Sequence, residues 1–348
     1  MKVGTITFHW ATNYGAVLQA YALQQILIEL KINTEIIDYR PRKLLIRNNF
    51  SNIKNLNIRQ FIKEKNINKF RKNEMILSKK KYYTHKQLEK VGNFYEGVFT
   101  GSDQIWNEWF TLNGEGGKTL SYFLDFLPDN VKKFSYAASF GCVTTTEVYD
   151  SVVKKSLEKL DKISVRERTG IDIINSFGLD AKLVCDPTLL LTATQYSKLI
   201  KNKKANSIIF PYIINGNQED TKKVYHYLIN RFNDSEINLN FDFGIYDWLR
   251  YIRDSKFVVT NSFHGVVFCL LFNTPFIPVL IKGSGMNDRL ITLLKIVGLE
   301  NRIINEYDED TVRSVVNKSI NWNDVNKRVA IVRSNALNFI SECIQDIG

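Results

Sequence analysis

No stretch of this sequence approaches the ~20 apolar residues that a bilayer-spanning helix needs. Its opening, Met1-Lys2-Val3-Gly4-Thr5-Ile6-Thr7-Phe8, is too short and too polar for the apolar segment of a secretory signal, and His9 interrupts it. The expectation is a cytoplasmic protein. Cysteine is scarce: Cys142, Cys185, Cys269 and Cys343 stand singly, and none forms a C-x-x-C. That spacing argues against zinc and predicts reduced, mostly buried thiols. The loop after the first predicted strand lacks G-x-G-x-x-G, which disfavours a dinucleotide. There is no phosphate-cradling P-loop, no repeat of fixed period and no low-complexity tract.

What is present is ordinary globular material: 44% hydrophobic and 24% charged residues in 348, a length that suggests two domains. The formal charge of +11 is unevenly spread. From Arg40 to Lys90 there are 16 Lys and Arg against Glu64, Glu74 and Glu89, so this segment carries +13 and the remainder about −2. One reading is contact with an anionic surface, phospholipid headgroups or a lipid-pyrophosphate-linked substrate; the other is a solvated helical insertion. Nucleic acid is disfavoured, because no recognised binding motif accompanies the charge.

Val3–Phe8 reads as a strand, Ala16–Leu30 as an amphipathic helix and Ile32–Tyr39 as a second strand, a βαβ unit that predicts a parallel sheet. Strands resume at 95–100, 133–137, 163–166 and 182–185, each ending in a polar or glycine-bearing turn. Asp186-Pro187 reads as a hinge. A second set of strands follows at 207–214, 238–243, 257–260 and 276–281. Helices are predicted around 221–230, 246–254 and 287–297, and over 312–347. The predicted class is α/β, with two Rossmann-like domains whose parallel sheets face a central cleft. The expected boundaries are 1–188, with a basic helical insertion at 40–90, then 189–310, then a helical segment 311–348.

One place concentrates polar groups between apolar runs: Val258-Val259-Thr260-Asn261-Ser262-Phe263-His264-Gly265-Val266-Val267. The β-branched run reads as a buried strand, Asn261 to Gly265 as the turn after it, and Val266 to Phe272 as a helix. Ligands collect at such strand ends in open α/β sheets. His264 is one of only four histidines. His85 and His226 lie in polar surroundings and read as surface residues.

Seven blocks in order carry a resemblance: GTITFHWATNYGAVLQAYALQ, GSDQIWN, SYAASFG, ISVRERTG, CDPTLLL, VVTNSFHGVVFCLLFNTPF and NDRLITLLKIVGLENR. Together they resemble the polysaccharide pyruvyl transferase family from about Lys2 to Arg302. The resemblance implies a GT-B-like fold and transfer of pyruvate from phosphoenolpyruvate onto two hydroxyls of a sugar in a surface-polysaccharide precursor, giving a cyclic ketal. It implies no cofactor and no metal, with phosphoenolpyruvate as donor and a lipid- or nucleotide-linked sugar as acceptor. His264 matches the family histidine, and Arg166 matches the arginine after the Ile-Ser-Val strand. Several branches have an arginine two residues before the histidine; here Ser262 stands there.

A phosphoenolpyruvate site needs cations and directed N–H groups for a carboxylate and a phosphate, plus a proton donor. His264 suits proton transfer or phosphate contact; the other reading is a turn histidine bonded to backbone. Asn261 or Ser262 could cap the helix that follows. Gly265 could permit a close backbone approach. Arg166 is a candidate grip on the donor carboxylate, or an ion-pair partner of Glu167 or Asp186. Lys282 and Arg289, which flank Gly283-Ser284-Gly285, are candidates to replace the charge absent at Ser262. Ser102 and Asp103 follow a buried strand, and Asp103 is either the base for the sugar hydroxyl or a turn cap. Trp106 and Trp109 are candidates for stacking on a pyranose or for the core. His9, Asn13 and Tyr14, in the first strand-to-helix loop, are expected to face the acceptor. The competing reading is a GT-B-type glycosyltransferase using a nucleotide sugar. A third is a non-catalytic basic adaptor peripheral to the inner face of the membrane.

Overall fold

The computed structural model of the chain describes residues 1–42, 58–114, 120–200, 208–214, 219–235 and 242–348. It divides into two compact units: Met1–Leu190 with Val332–Gly348, and Leu191–Ile331.

In the first unit the chain runs β1 (Lys2–Ile6), α1 (Tyr14–Glu29), β2 (Asn33–Ile36), α2 (Ile58–Glu74), α3 (His85–Leu88), β3 (Gly97–Thr100), α4 (Glu108–Gly114) and β4 (Lys132–Ser135). It continues through α5 (Glu147–Leu157), β5 (Ser164–Val165), α6 (Arg168–Ser176) and β6 (Lys182–Leu183). The sheet order is β2-β1-β3-β4, all parallel. Parallel bridges Phe134–Lys162 and Ala138–Val165 carry it on to the β5-β6 pair. Bridges Ile36–Leu77 and Tyr39–Tyr82 line the other edge. The interior strand β3 is buried at all four positions, as expected where helices cover both faces. The chain steps from β1 outward to β2 and then returns to place β3 on the far side of β1. The carboxyl ends of β1 and β3 are therefore the topological switch point, where open α/β sheets bind ligands.

The second unit holds α7 (Ala193–Ser197), β7 (Ile209–Tyr212), α8 (Glu219–Phe232), α9 (Ile245–Asp254), β8 (Phe257–Thr260), α10 (Phe263–Phe272), β9 (Phe276–Pro278), α11 (Asp288–Val297) and α12 (Glu309–Asn317). Its described strands are parallel in the order β7-β8-β9. Ile209, Val224, Leu228, Val259, Ile277, Ile304 and Val312 pack one core of this unit. A final helix, α13 (Trp322–Gln345), follows, and the division between units falls within it.

The predicted strand at 238–243 falls almost wholly outside the described residues, as does the part of the basic insertion from 43 to 57. The described part of that insertion is helical, in α2 and α3. The predicted terminal helix 312–347 is two helices, because Lys318 leaves α12 in an extended conformation. The four cysteines are free; Cys269 and Cys343 are buried, and Cys142 and Cys185 are half-buried. Burial pushes Cys142 to about 11 and Cys185 to about 12, which makes both poor nucleophiles at neutral pH. Among the described residues, no helix is long and apolar enough to cross a membrane.

Candidate functional site

In the second unit the polar residues of the 258–271 stretch gather at the carboxyl end of β8. The predicted turn 261–265 is shorter than the sequence suggests. Helix α10 begins at Phe263, three residues before the expected Val266. Ser262 is its N-cap, accepting from the Gly265 N–H at 3.3 Å, so His264 and Gly265 lie in the first helical turn. Asn261 is committed to the fold: it donates to Ile214 O at 2.9 Å and accepts from the Ile214 N–H at 2.8 Å. That pair of bonds ties the loop after β7 to the end of β8.

His264 is 7% exposed. Its ring lies edge-on to Phe263 at 5.2 Å, and the Arg289 guanidinium sits over the Phe263 ring at 5.7 Å. Phe263 thus meets the imidazole at one side and the Arg289 guanidinium over its face, in the first turn of a ten-residue helix whose N-terminus carries the positive end of the dipole. Gly265 serves close packing: a Cβ there would meet Thr260 Oγ1 at 2.6 Å and the Tyr212 ring at 3.1 Å. The loop before α11 is closed by Asn287, which bonds both the N–H and the carbonyl of Ile281. Lys282 is exposed at its start, and Arg289 is half-buried.

The first unit presents two polar groups at the carboxyl ends of its strands. One is centred on Asp186. Its carboxylate accepts from Arg166 at 2.7 Å, Ser102 at 2.9 Å and the Thr188 hydroxyl at 2.6 Å. Arg166 also lies 3.3 Å from Ser102 and 3.7 Å from Glu167. Burial alone would disfavour the Arg166 charge, but Asp186 and Glu167 outweigh it and hold the guanidinium charged. With its side chain 1% exposed, Arg166 is occupied by an internal ion pair that joins β5 to the loops after β3 and β6. Asp186, read as a hinge from its proline, is the hub of this network.

Beside it, Asp103 is half-buried and adopts φ +76, in the left-handed region that aspartate and asparagine enter more readily than most residues other than glycine. The turn is held by its carbonyl, which accepts from the Ile105 and Ser139 N–H groups at 2.8 and 3.1 Å, and by its carboxylate, which accepts from the Gln104 N–H at 2.9 Å as a turn cap does. Trp106 is core, stacked on Phe123 at 5.2 Å, whereas Trp109 is 42% exposed.

The other group centres on His9. Its Nε2 lies 2.9 Å from Asp38 Oδ1 and its Nδ1 lies 3.1 Å from Thr7 O. Burial lowers the His9 pKa, opposed by the hydrogen bond and charge of Asp38 and by the Thr7 carbonyl. Burial would push the Asp38 carboxyl up, but hydrogen bonds from His9 and Arg40 outweigh it and hold it at about 2. His9, expected to face an acceptor, is instead fully enclosed. Arg71, on the inner face of α2, fixes the same loop by donating to His9 O at 2.8 Å and Ala11 O at 2.6 Å. Asn13 is exposed and caps α1, accepting from the Ala16 N–H at 3.1 Å. Tyr14 is buried, with Lys63 over its ring at 4.4 Å. His85 is half-buried against Ser121 at 3.1 Å, correcting its reading as a surface residue, while His226 is exposed as expected.

Among the described residues, no group of three or more His, Cys, Asp or Glu is arranged to hold a metal. The family model for polysaccharide pyruvyl transferase matches residues 13–283. The chain belongs to the polysaccharide pyruvyl transferase family. A search of curated proteins finds no match. Solved structures that resemble this pyruvyl transferase family member include the UDP-N-acetylglucosamine 2-epimerase from Rickettsia bellii. It is 11% identical with a TM-score of 0.56, over 100% of this chain and 98% of that one. A putative UDP-N-acetylglucosamine 2-epimerase from Listeria monocytogenes is 9% identical with a TM-score of 0.57, over 99% and 95%. The UDP-GlcNAc 2-epimerase from Methanocaldococcus jannaschii in complex with UDP-GlcNAc and UDP is 11% identical with a TM-score of 0.52, over 95% and 99%. These likenesses establish the fold, GT-B, and no chemistry. Membership of a transferase family makes the chain an enzyme.

Proposed function

We propose that this transferase moves the pyruvyl group of phosphoenolpyruvate onto two hydroxyls of a sugar in a surface-polysaccharide precursor. The observation that supports this most is the start of α10, where a sheltered imidazole lies in the first helical turn and shares the Phe263 ring with Arg289. A donor with a carboxylate and a phosphate calls for that combination of cation, dipole and proton donor.

In this reading His264 delivers a proton to the methylene carbon, and positive character develops at the central carbon. A sugar hydroxyl attacks there and gives up its proton. Phosphate leaves with the second hydroxyl's proton as that oxygen closes the ketal. Of the two protons the sugar gives up, one balances the new methyl group and the other leaves with phosphate. Arg289 takes the role expected of Arg166 at the donor, because Arg166 is held by Asp186. Within the first unit, Arg166, Ser102 and Asp186 fix the strand ends around Asp103. Asn261 has the same office beside His264.

The test is thermal unfolding with phosphoenolpyruvate, UDP and GDP. A ligand that binds only the folded state raises the melting temperature by mass action. Phosphoenolpyruvate is expected to do so, with Arg289→Gln weakening its binding by roughly 10- to 150-fold through lost charge-assisted bonds. A shift with UDP or GDP and none with phosphoenolpyruvate would favour a nucleotide-sugar glycosyltransferase instead.

A further inference from the structure

Helix α2 has two faces of different character. The inner face carries Ile67, Phe70 and Arg71, all buried. Phe70 packs edge-on against Tyr21 at 5.4 Å, and Arg71 bonds the loop after β1. The helix is therefore fixed in rotation, and what remains outside is a defined surface.

Outside, Ile58 and Phe61 are each 72% exposed and Ile62 is 38% exposed. Their spacing of three and four residues puts them on one face. Lys65, Lys69 and Lys72 continue that face at the same spacing, all exposed, and exposed Arg59 flanks it. The two acids of the helix are turned away from it. Glu64 is half-buried, ion-paired to Arg71 at 2.8 Å and bonded by Thr12, and Glu74 is half-buried. The charged groups of the outward surface are thus all cationic, with a large apolar group in its first turn.

We infer that this face of α2 docks on an anionic lipid bilayer, with Ile58, Phe61 and Ile62 entering the headgroup boundary and the lysines meeting lipid phosphates. Charge complementarity selects the occupant. A second copy would oppose cations to cations. A nucleic acid would use the lysines but leave three aliphatic and aromatic side chains without a role. A bilayer surface uses both halves: apolar area for insertion and cations for headgroups. Exposed apolar groups beside a charged rim mark interaction sites rather than a merely solvated face. Docking of this kind does not depend on the reaction catalysed.

The experiment is co-sedimentation of the full chain with phosphatidylcholine vesicles, with and without phosphatidylglycerol, over a salt series. The expected result is binding that requires phosphatidylglycerol and weakens with salt. Combined Lys65→Gln, Lys69→Gln and Lys72→Gln should weaken it on the order of 100-fold. Phe61→Ser should weaken it at equal charge, and Phe61→Trp should shift its emission to the blue on binding. All four positions are exposed, so melting temperatures should stay at the wild-type value, which separates lost docking from lost fold. Equal binding to neutral vesicles, no binding to either kind, or no emission shift in Phe61→Trp would overturn the assignment. A concentration-dependent dimer abolished by Phe61→Ser would give the face to a second copy. RNA binding abolished by the lysine changes, with no vesicle binding, would give it to nucleic acid.

Discussion

At position 103 a carboxylate pays for its place: the left-handed backbone at φ +76 suits asparagine better than aspartate. That preference separates chemistry from folding. Asp103→Asn should keep or slightly raise the melting temperature, yet lower turnover by ~10²–10⁴ if the carboxylate is the base for the sugar hydroxyl. Normal turnover in this variant would return Asp103 to a turn role. Asp38 offers a test by pH. Its folded pKa of about 2 lies below the ordinary 3.8, so it contributes stability above pH 3.8 that is lost as pH falls toward 2. The shift corresponds to about 2 kcal/mol, because the carboxylate is buried. Denaturant unfolding should therefore show Asp38→Asn less stable than wild type at pH 7, with the gap closing between pH 4 and 2. A gap that stays constant would show that the His9 and Arg40 bonds do not set it. At this scale the sequence was readable in type and not in direction. Glu167 and Asp186 were both legible as partners of Arg166. The enclosure of His9 was not, because its partner Asp38 lies a strand away and Arg71 arrives from a helix 62 positions on.

At the scale of elements, the start of α10 depends on how closely it approaches β8. The Cβ of Gly265→Ala would meet Thr260 Oγ1 at 2.6 Å, and that hydroxyl is already bonded to Tyr212 O and the Ser262 N–H. It cannot swing away without breaking both. Overpacking of this kind costs about 1–3 kcal/mol, a fall of roughly 3–10 °C in melting temperature. Calorimetry on Gly265→Ala checks this, and an unchanged melting point would show that the helix end tolerates displacement. The strands were legible as apolar runs, but their ends were not. The predicted 133–137 strand stops at Ser135 in the ladder, and Ala137 already adopts φ +51. Apolar composition continues past the last ladder pair because the loops at this end are themselves buried. Helix α10 started early for a related reason: capping by Ser262 outweighs the turn propensity of the glycine. The basic insertion contained one residue composition could not classify, since Arg71 is a buried anchor while its neighbours Lys69 and Lys72 are exposed.

For the whole molecule, the βαβ reading led to a parallel sheet, and seven sequence blocks led to the family and to a GT-B fold. The strand order β2-β1-β3-β4 was not legible, because periodicity says which runs are buried and nothing about which run lies beside which. The most direct measurement follows phosphoenolpyruvate labelled with carbon-14 in its pyruvyl carbons, incubated with the purified chain and a panel of lipid- and nucleotide-linked saccharides. Label is expected in a saccharide fraction as an acid-labile ketal, with one phosphate released per label transferred and transfer reduced ~10²–10⁴-fold in His264→Asn with its fold intact. Sugar transfer from a nucleotide sugar, with nucleoside diphosphate released and phosphoenolpyruvate unconsumed, would contradict it.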